Sequence, residues 1–132
     1  MATIGRKNVH GKGGVRFKTG FTSSKHKNLL RNVLTDLVVY EKVSVTTSVV
    51  KDLVKKASHL ITLAKRGDLH ARRQAISLLR NKMVDEKTSA VDKLFNDLVK
   101  RFDGVNGGYV RVLKLAPRKG DGAEVRLVTW SK

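Results

Sequence analysis

This amino-acid sequence encodes a small α+β domain behind a basic N-terminal extension, and three features lead to that reading. Four stretches between residues 24 and 102 repeat apolar residues at helical spacing. A short alternating stretch, EKVSVT at residues 41–46, separates the first two. The last quarter switches to the two-residue period of strands, YVRVLKLA and AEVRLVTW, joined by the turn-forming PRKGDG. At 132 residues with 40% apolar content, the chain suits one domain with a core. The expected division is an extension over residues 1–23 and a globular domain over 24–132.

The elements follow in order. Ser23 or Ser24 is a fitting N-cap, because a hydroxyl can accept from the free amides of a first helical turn. Leu30, Val33, Leu34, Leu37 and Val38 then form the inner stripe of a helix ending near Tyr40, with Lys27, Asn28 and Arg31 on the opposite face. Val43 and Val45 alternate with polar neighbours, as in a short strand. Thr46, Thr47 or Ser48 can cap a second helix with Leu53, Val54, Ala57, Leu60, Ile61 and Ala64 inward, and Gly67 stands at the left-handed C-cap. Asp68 can cap a third helix over residues 69–83, with Leu69, Ile76, Leu79 and Met83 inward. After the polar VDEKTS, Thr88 or Ser89 caps a fourth helix with Val91, Leu94, Phe95, Leu98 and Phe102 inward. In the hairpin, alternation leaves two apolar faces open, Val110 and Val112 with Val125 and Leu127, or one including Leu113 and Val128. Tyr109 and Trp130 are expected to complete the sheet packing.

Charge carries the functional information. Lys and Arg total 28 against 11 Asp and Glu, a formal +17, and residues 1–35 hold eight cations and no acid. Such an excess is best satisfied by a polyanion. An acidic membrane surface fits less well than nucleic acid, since the extension lacks the amphipathic pattern of a membrane-surface helix. No apolar run reaches the roughly 20 residues of a membrane span, and the basic N-terminal stretch lacks the apolar run expected of a secretory signal. With no cysteine, the expectation is an intracellular protein without disulfides or thiolate metal sites. The GKGG at residues 11–14 lacks P-loop spacing, the four histidines lack metal-ligand spacing, and no carboxylate pair stands out. An enzyme, a cofactor, a metal and a small-molecule substrate are therefore not expected.

The candidate RNA-binding residues are Arg6, Lys7, Lys12, Arg16, Lys18, Lys25, Lys27, Arg31, Arg72, Arg73, Arg111, Lys114, Arg118 and Lys119. The forked guanidinium groups of Arg72 and Arg73, and of Arg80 two turns on, suit phosphate contact, with an ordinary solvated helix face as the other reading. Four cations in the hairpin suit it too. The glycines of the extension permit close approach to a crowded phosphate surface. Two roles are open to Phe17 and Phe21: stacking on bases, or anchoring the extension on the domain. The extension is expected to order only along folded RNA, since its few apolar groups cannot offset its backbone entropy.

The string HLITLAKRGDLHARRQA, followed by KLFNDLVKRF, GGYVRVLKL and RKGDGA, resembles the family of bacterial large-subunit ribosomal protein seventeen over roughly residues 24–128. The resemblance implies four helices packed with a small three-stranded sheet that includes the C-terminal hairpin. It also implies a cytoplasmic, structural constituent of the large ribosomal subunit that contacts its RNA near the nascent-chain exit, beside neighbouring ribosomal proteins. Arg31 and Asn32, Arg72 and Arg73, and Tyr109, Arg111, Lys114, Gly120 and Asp121 match the family pattern, which adds Asn32 to the RNA-binding candidates. The family is usually basic where this chain has Val49 and Val54, leaving Lys51, Lys55 and Lys56 to carry the charge of the second helix. Glu124 stands where the family often has proline. The alternative is a free-standing nucleic-acid binder of nucleoid or regulatory type. Because every apolar stripe lies between residues 24 and 130, removing residues 1–22 should leave thermal unfolding cooperative. A broad, non-cooperative melt would place the extension in the core.

Overall fold

The computed structural model describes residues 23–132. Four helices and a three-stranded antiparallel sheet make up the domain. Helix α1 spans Ser23–Tyr40, strand β1 Lys42–Thr46, helix α2 Thr47–Arg66 and helix α3 Leu69–Leu78. Helix α4 is built from an α segment Ala90–Lys93, a π turn Leu94–Leu98 and a closing α turn Val99–Arg101. Strands β2 (Val110–Lys114) and β3 (Val125–Trp130) form the C-terminal pair. The sheet order is β1-β3-β2, so the last strand lies between the other two.

The caps show how local chemistry sets the boundaries. Asp68 accepts from the amide of Ala71 at 2.7 Å, and Gly67 takes φ 67° while its amide reaches the Leu63 carbonyl. Ser89 and Asp92 form a reciprocal capping box at the start of α4. Two expected caps differ. Ser23 and Ser24 lie within α1. Thr46 precedes α2 without a side-chain cap; instead Thr47 donates through its amide and hydroxyl to the Glu124 carbonyl. The entry to α2 is thus held by the end of the hairpin loop.

Helix α3 is shorter than expected and faces differently. It ends at Leu78, and Leu69, Ile76 and Met83 are 65%, 52% and 51% exposed. The inward residues are Ala71, Ala75 and Leu79. Small alanines let α3 lie close to its neighbours, so the larger apolar residues at helical spacing mark the outer face. The chain leaves the helix because the Arg80 amide turns to the Thr35 hydroxyl at 2.8 Å.

The π turn in α4 has a related cause. Ala90, Leu94, Leu98 and Phe102 are all buried at a spacing of four. A straight α-helix with 3.6 residues per turn would rotate that series away from the core. The wider turn takes up the drift.

Register settles the hairpin faces. Val110 pairs with Trp130 and Val112 with Val128, while Val43 also lies opposite Val128. Val128 and Trp130 are buried, so this is the face turned to the core, with Val112, 40% exposed, at its edge. The alternative grouping of Val110 and Val112 with Val125 and Leu127 does not occur. Leu113 and Leu127 pair on the outer face. Phe102 meets Tyr109 and Trp130 edge-on at 5.3 and 6.0 Å. The Trp130 indole donates to the Leu37 carbonyl at 3.1 Å, joining β3 to α1.

Glu41 closes the corner between α1 and β1. Its backbone has φ 64°, the left-handed region, and its carboxylate takes both terminal nitrogens of Arg101 and lies 2.9 Å from Lys93 on α4. Hydrogen bonds from Arg101 and Lys93 pull its pKa from the ordinary 4.5 to about 2.

Two outcomes follow. Leu34→Ala, Leu60→Ala or Leu98→Ala should each destabilise by about 2–5 kcal/mol in denaturant melts, since all three sites are fully buried. Glu41→Gln should lower stability at neutral pH by about 1–3 kcal/mol, discounted because the carboxylate is a third exposed. A depressed carboxylate stabilises above its unfolded pKa. The wild-type advantage should therefore be complete above about pH 4.5 and vanish as pH falls towards 2. An advantage independent of pH would show that the clamp is not electrostatic.

Candidate nucleic-acid interface

The structure sorts the cations by what holds them. Seven of the eleven acids form ion pairs with Lys or Arg within the described residues: Asp36, Glu41, Asp68, Asp92, Asp97, Asp121 and Glu124. Most partners are cations at element junctions, such as Lys82 with Asp36 and Arg101 with Glu41. His26, which the sequence sets among lysines, is buried with its Nε2 3.1 Å from Asp52. The negative charge is largely consumed in holding the domain together.

The candidate residues divide accordingly. Arg6, Lys7, Lys12, Arg16, Phe17, Lys18 and Phe21 lie outside the described residues. Lys25, Lys27 and Asn32 are exposed on α1. Arg72 is a structural residue: it meets Asp92 at 2.5 Å and covers the Phe95 ring at 5.4 Å. Arg73 is exposed and has no ion pair among the described residues. In the hairpin, Arg111 and Lys114 are exposed. They stand on opposite faces of β2, Arg111 beside Thr129 and Lys114 beside Arg126. Arg118 folds back on Asp121 through two hydrogen bonds of 2.9 and 2.5 Å. That pair holds the Asp121 carboxyl far below the usual carboxylate range and raises Arg118. Lys119 is exposed beside them.

Two arginines are held differently, by neutral acceptors. Arg31 donates from Nη2 to the Leu79 carbonyl at 3.1 Å, and its buried Nε has no partner. Arg80 donates to the side-chain oxygens of Asn32 at 2.9 Å and Asn28 at 3.0 Å. Carboxylates would cancel these charges; amide and carbonyl oxygens orient the guanidinium groups and leave the charge in place. Arg80, two turns beyond Arg72 and Arg73 in the expected third helix, shares their reading as a forked phosphate contact. The structure places it just past the end of α3, against α1. What the sequence does not show is its anchor, the Asn28–Asn32 pair one turn apart on α1. Two grooves meet at Arg31. One, of about 400 Å³, includes Lys27 and Lys56; the other, of about 420 Å³, includes Arg72 and Arg80. Cations of α1, α2 and the end of α3 are thereby brought to one side.

On α2, Lys51, Lys55 and Lys56 are exposed. Val49 is buried in the core and Val54 half-buried. Among the described residues no helix is long and apolar enough to cross a membrane, and no cluster of His, Asp or Glu could hold a metal ion.

The profile of the family described as ribosomal protein L17 matches residues 29–130. The chain belongs to the ribosomal protein L17 family. Its relatives include large ribosomal subunit protein bL17 of Halalkalibacterium halodurans, 45% identical over 113 residues, 84% of this chain and 94% of the relative. The bL17 of Shouchella clausii is 46% identical over 115 residues, 86% of this chain and 96% of that protein. The bL17 of an Exiguobacterium species is 48% identical over 111 residues, covering 84% and 94%. The ribosomal protein L17 family is structural and non-enzymatic, which supports a structural role in the large subunit over a free-standing nucleoid-type or regulatory binder.

For this L17-family chain, the two neighbouring arginines should separate cleanly. Arg72→Ala should destabilise the domain by about 1–2 kcal/mol, because the ion pair with Asp92 and the cover over Phe95 both go. Arg73→Ala should stay within about 0.5 kcal/mol of the parent in the same melts. Equal losses of stability from both would contradict the assigned roles.

Proposed function

We propose that this protein is a non-catalytic constituent of the large ribosomal subunit that binds folded large-subunit RNA through phosphate contacts. The observation that carries the reading is the sorting of charge. Most acids are engaged in ion pairs with Lys or Arg, several of them between elements, while Lys27, Lys56, Arg73, Arg111, Lys114 and Lys119 remain exposed without ion pairs among the described residues. The names of the bL17 relatives support the ribosomal assignment. A location near the nascent-chain exit, beside neighbouring ribosomal proteins in the cytoplasm, follows from the family resemblance. The basic residues of the extension, Arg6 to Lys18, fit the same role by composition.

Specificity on this reading comes from RNA shape, because the deep groove of an A-form helix resists side-chain reading. Affinity for a large-subunit RNA fragment should then fall linearly in log–log form with salt, by about 0.7–0.9 per phosphate neutralised. Arg111→Gln with Lys114→Gln should weaken binding for many sequences alike and flatten the slope by about one for each phosphate left unneutralised. Nearly salt-independent binding would overturn the proposal.

A further inference from the structure

We propose that the groove where α3 ends against the start of α4 receives a single unstacked nucleotide of the bound RNA. The inference rests on the ribosomal reading above. The groove, of about 420 Å³, is formed by Arg31, Arg80, Ile76, Leu79, Asn81 and Val91, with Arg72 and the start of α4 completing the wall. Its volume falls within the roughly 300–1,000 Å³ of small-ligand sites.

Its chemistry is divided as a nucleotide is divided. Arg31 and Arg80 are fixed by neutral oxygens and keep their charge, which suits a phosphate. The buried Arg31 Nε lacks a partner, a donor the fold itself leaves unused. Arg72 is already neutralised by Asp92 and covers Phe95, so it serves as wall. Ile76 is 52% exposed although large and apolar, and Leu79 is buried behind it. Ile76 thus offers an apolar surface for the face of a base or ribose, with Leu79 packed beneath it. The Asn81 amide, exposed at the rim, has both donors and an acceptor for a base edge. A base-paired helix presents a convex surface and cannot enter such a concavity. An unstacked nucleotide can, and single-stranded loops and bulges supply them.

The test uses the full-length protein in amide-resolved NMR, titrated separately with inorganic phosphate and with each of the four ribonucleoside monophosphates. The nucleotides should shift the amides of Ile76, Leu79 and Asn81, beyond any change caused by phosphate alone. Ile76→Trp, which fills the groove from an exposed position, should abolish those shifts. Ile76→Ser, which removes the apolar surface without filling the groove, should weaken them. With a large-subunit RNA fragment, both variants should bind about tenfold more weakly. Ile76→Ser should leave the salt slope unchanged, since every cation of the groove remains. Ile76→Trp should lower it by up to about one, since the excluded nucleotide takes its phosphate away from Arg31 and Arg80. Nucleotide shifts no larger than those from phosphate would reduce the groove to an anion site and overturn the proposal. So would tight, salt-dependent RNA binding that is indifferent to both substitutions. Failure of the wild-type protein to bind the RNA at all would instead overturn the ribosomal reading.

Discussion

The Glu41 carboxylate is the joint on which the two halves of the domain depend. Helix α1 must turn sharply into β1, and the chain does so through one non-glycine residue in the left-handed region. That conformation is unfavourable for a side-chain-bearing residue, so something must hold it. Arg101 grips the carboxylate from the end of α4 with a paired fork, and Lys93 approaches from the start of the same helix while also donating to the Val39 carbonyl. The Thr129 hydroxyl donates to the Glu41 carbonyl from β3. One residue therefore fixes the angle of α1 to the sheet and the position of α4 over both. The Trp130 bond to Leu37 lies just inside this corner, so the aromatic core forms where the polar clamp has set its walls.

A chain with a formal +17 repels itself, and the placement of its few acids shows how the fold withstands that. Asp36, Glu41 and Asp92 each join one helix to another element. Exposed ion pairs of this kind contribute little one at a time. Their importance lies in location: each removes a like-charge conflict where elements meet, and the unbalanced cations are left on outward surfaces. The same sorting that stabilises the domain sharpens its field towards a polyanion.

The sequence makes the architecture legible wherever one local rule decides. Gly67, Asp68 and Ser89 mark helix ends through backbone chemistry that acts within four residues, and all three do so in the structure. The period switch after residue 108 locates both strands of the C-terminal pair. Readings that needed tertiary knowledge failed or stayed open. In α3 the larger residues Leu69 and Ile76 compete with Ala71 and Ala75 for the inner face, and close helix packing favours the alanines. In the hairpin, both faces are apolar, and only pairing with β1 distinguishes them. Among site residues, charge alone cannot separate Arg72 from Arg73. The difference is made by Asp92 and Phe95, some twenty residues further along the chain.

That distinction extends to how binding would be organised. A lysine such as Lys56 or Lys119 is an exposed point charge, and immobilising it against a phosphate costs side-chain entropy, up to about 2 kcal/mol. Arg80 has already given up that freedom, because Asn28 and Asn32 hold its guanidinium when the domain folds. Arg31 is likewise held by the Leu79 carbonyl. Binding to these two residues would therefore carry a smaller ordering cost for each hydrogen bond formed. On the proposed RNA-binding reading, exposed lysines would supply long-range attraction from any direction, and the two oriented arginines would supply direction. A domain bearing both kinds can be drawn to RNA generally and still favour the one surface that matches the fixed geometry of Arg31 and Arg80.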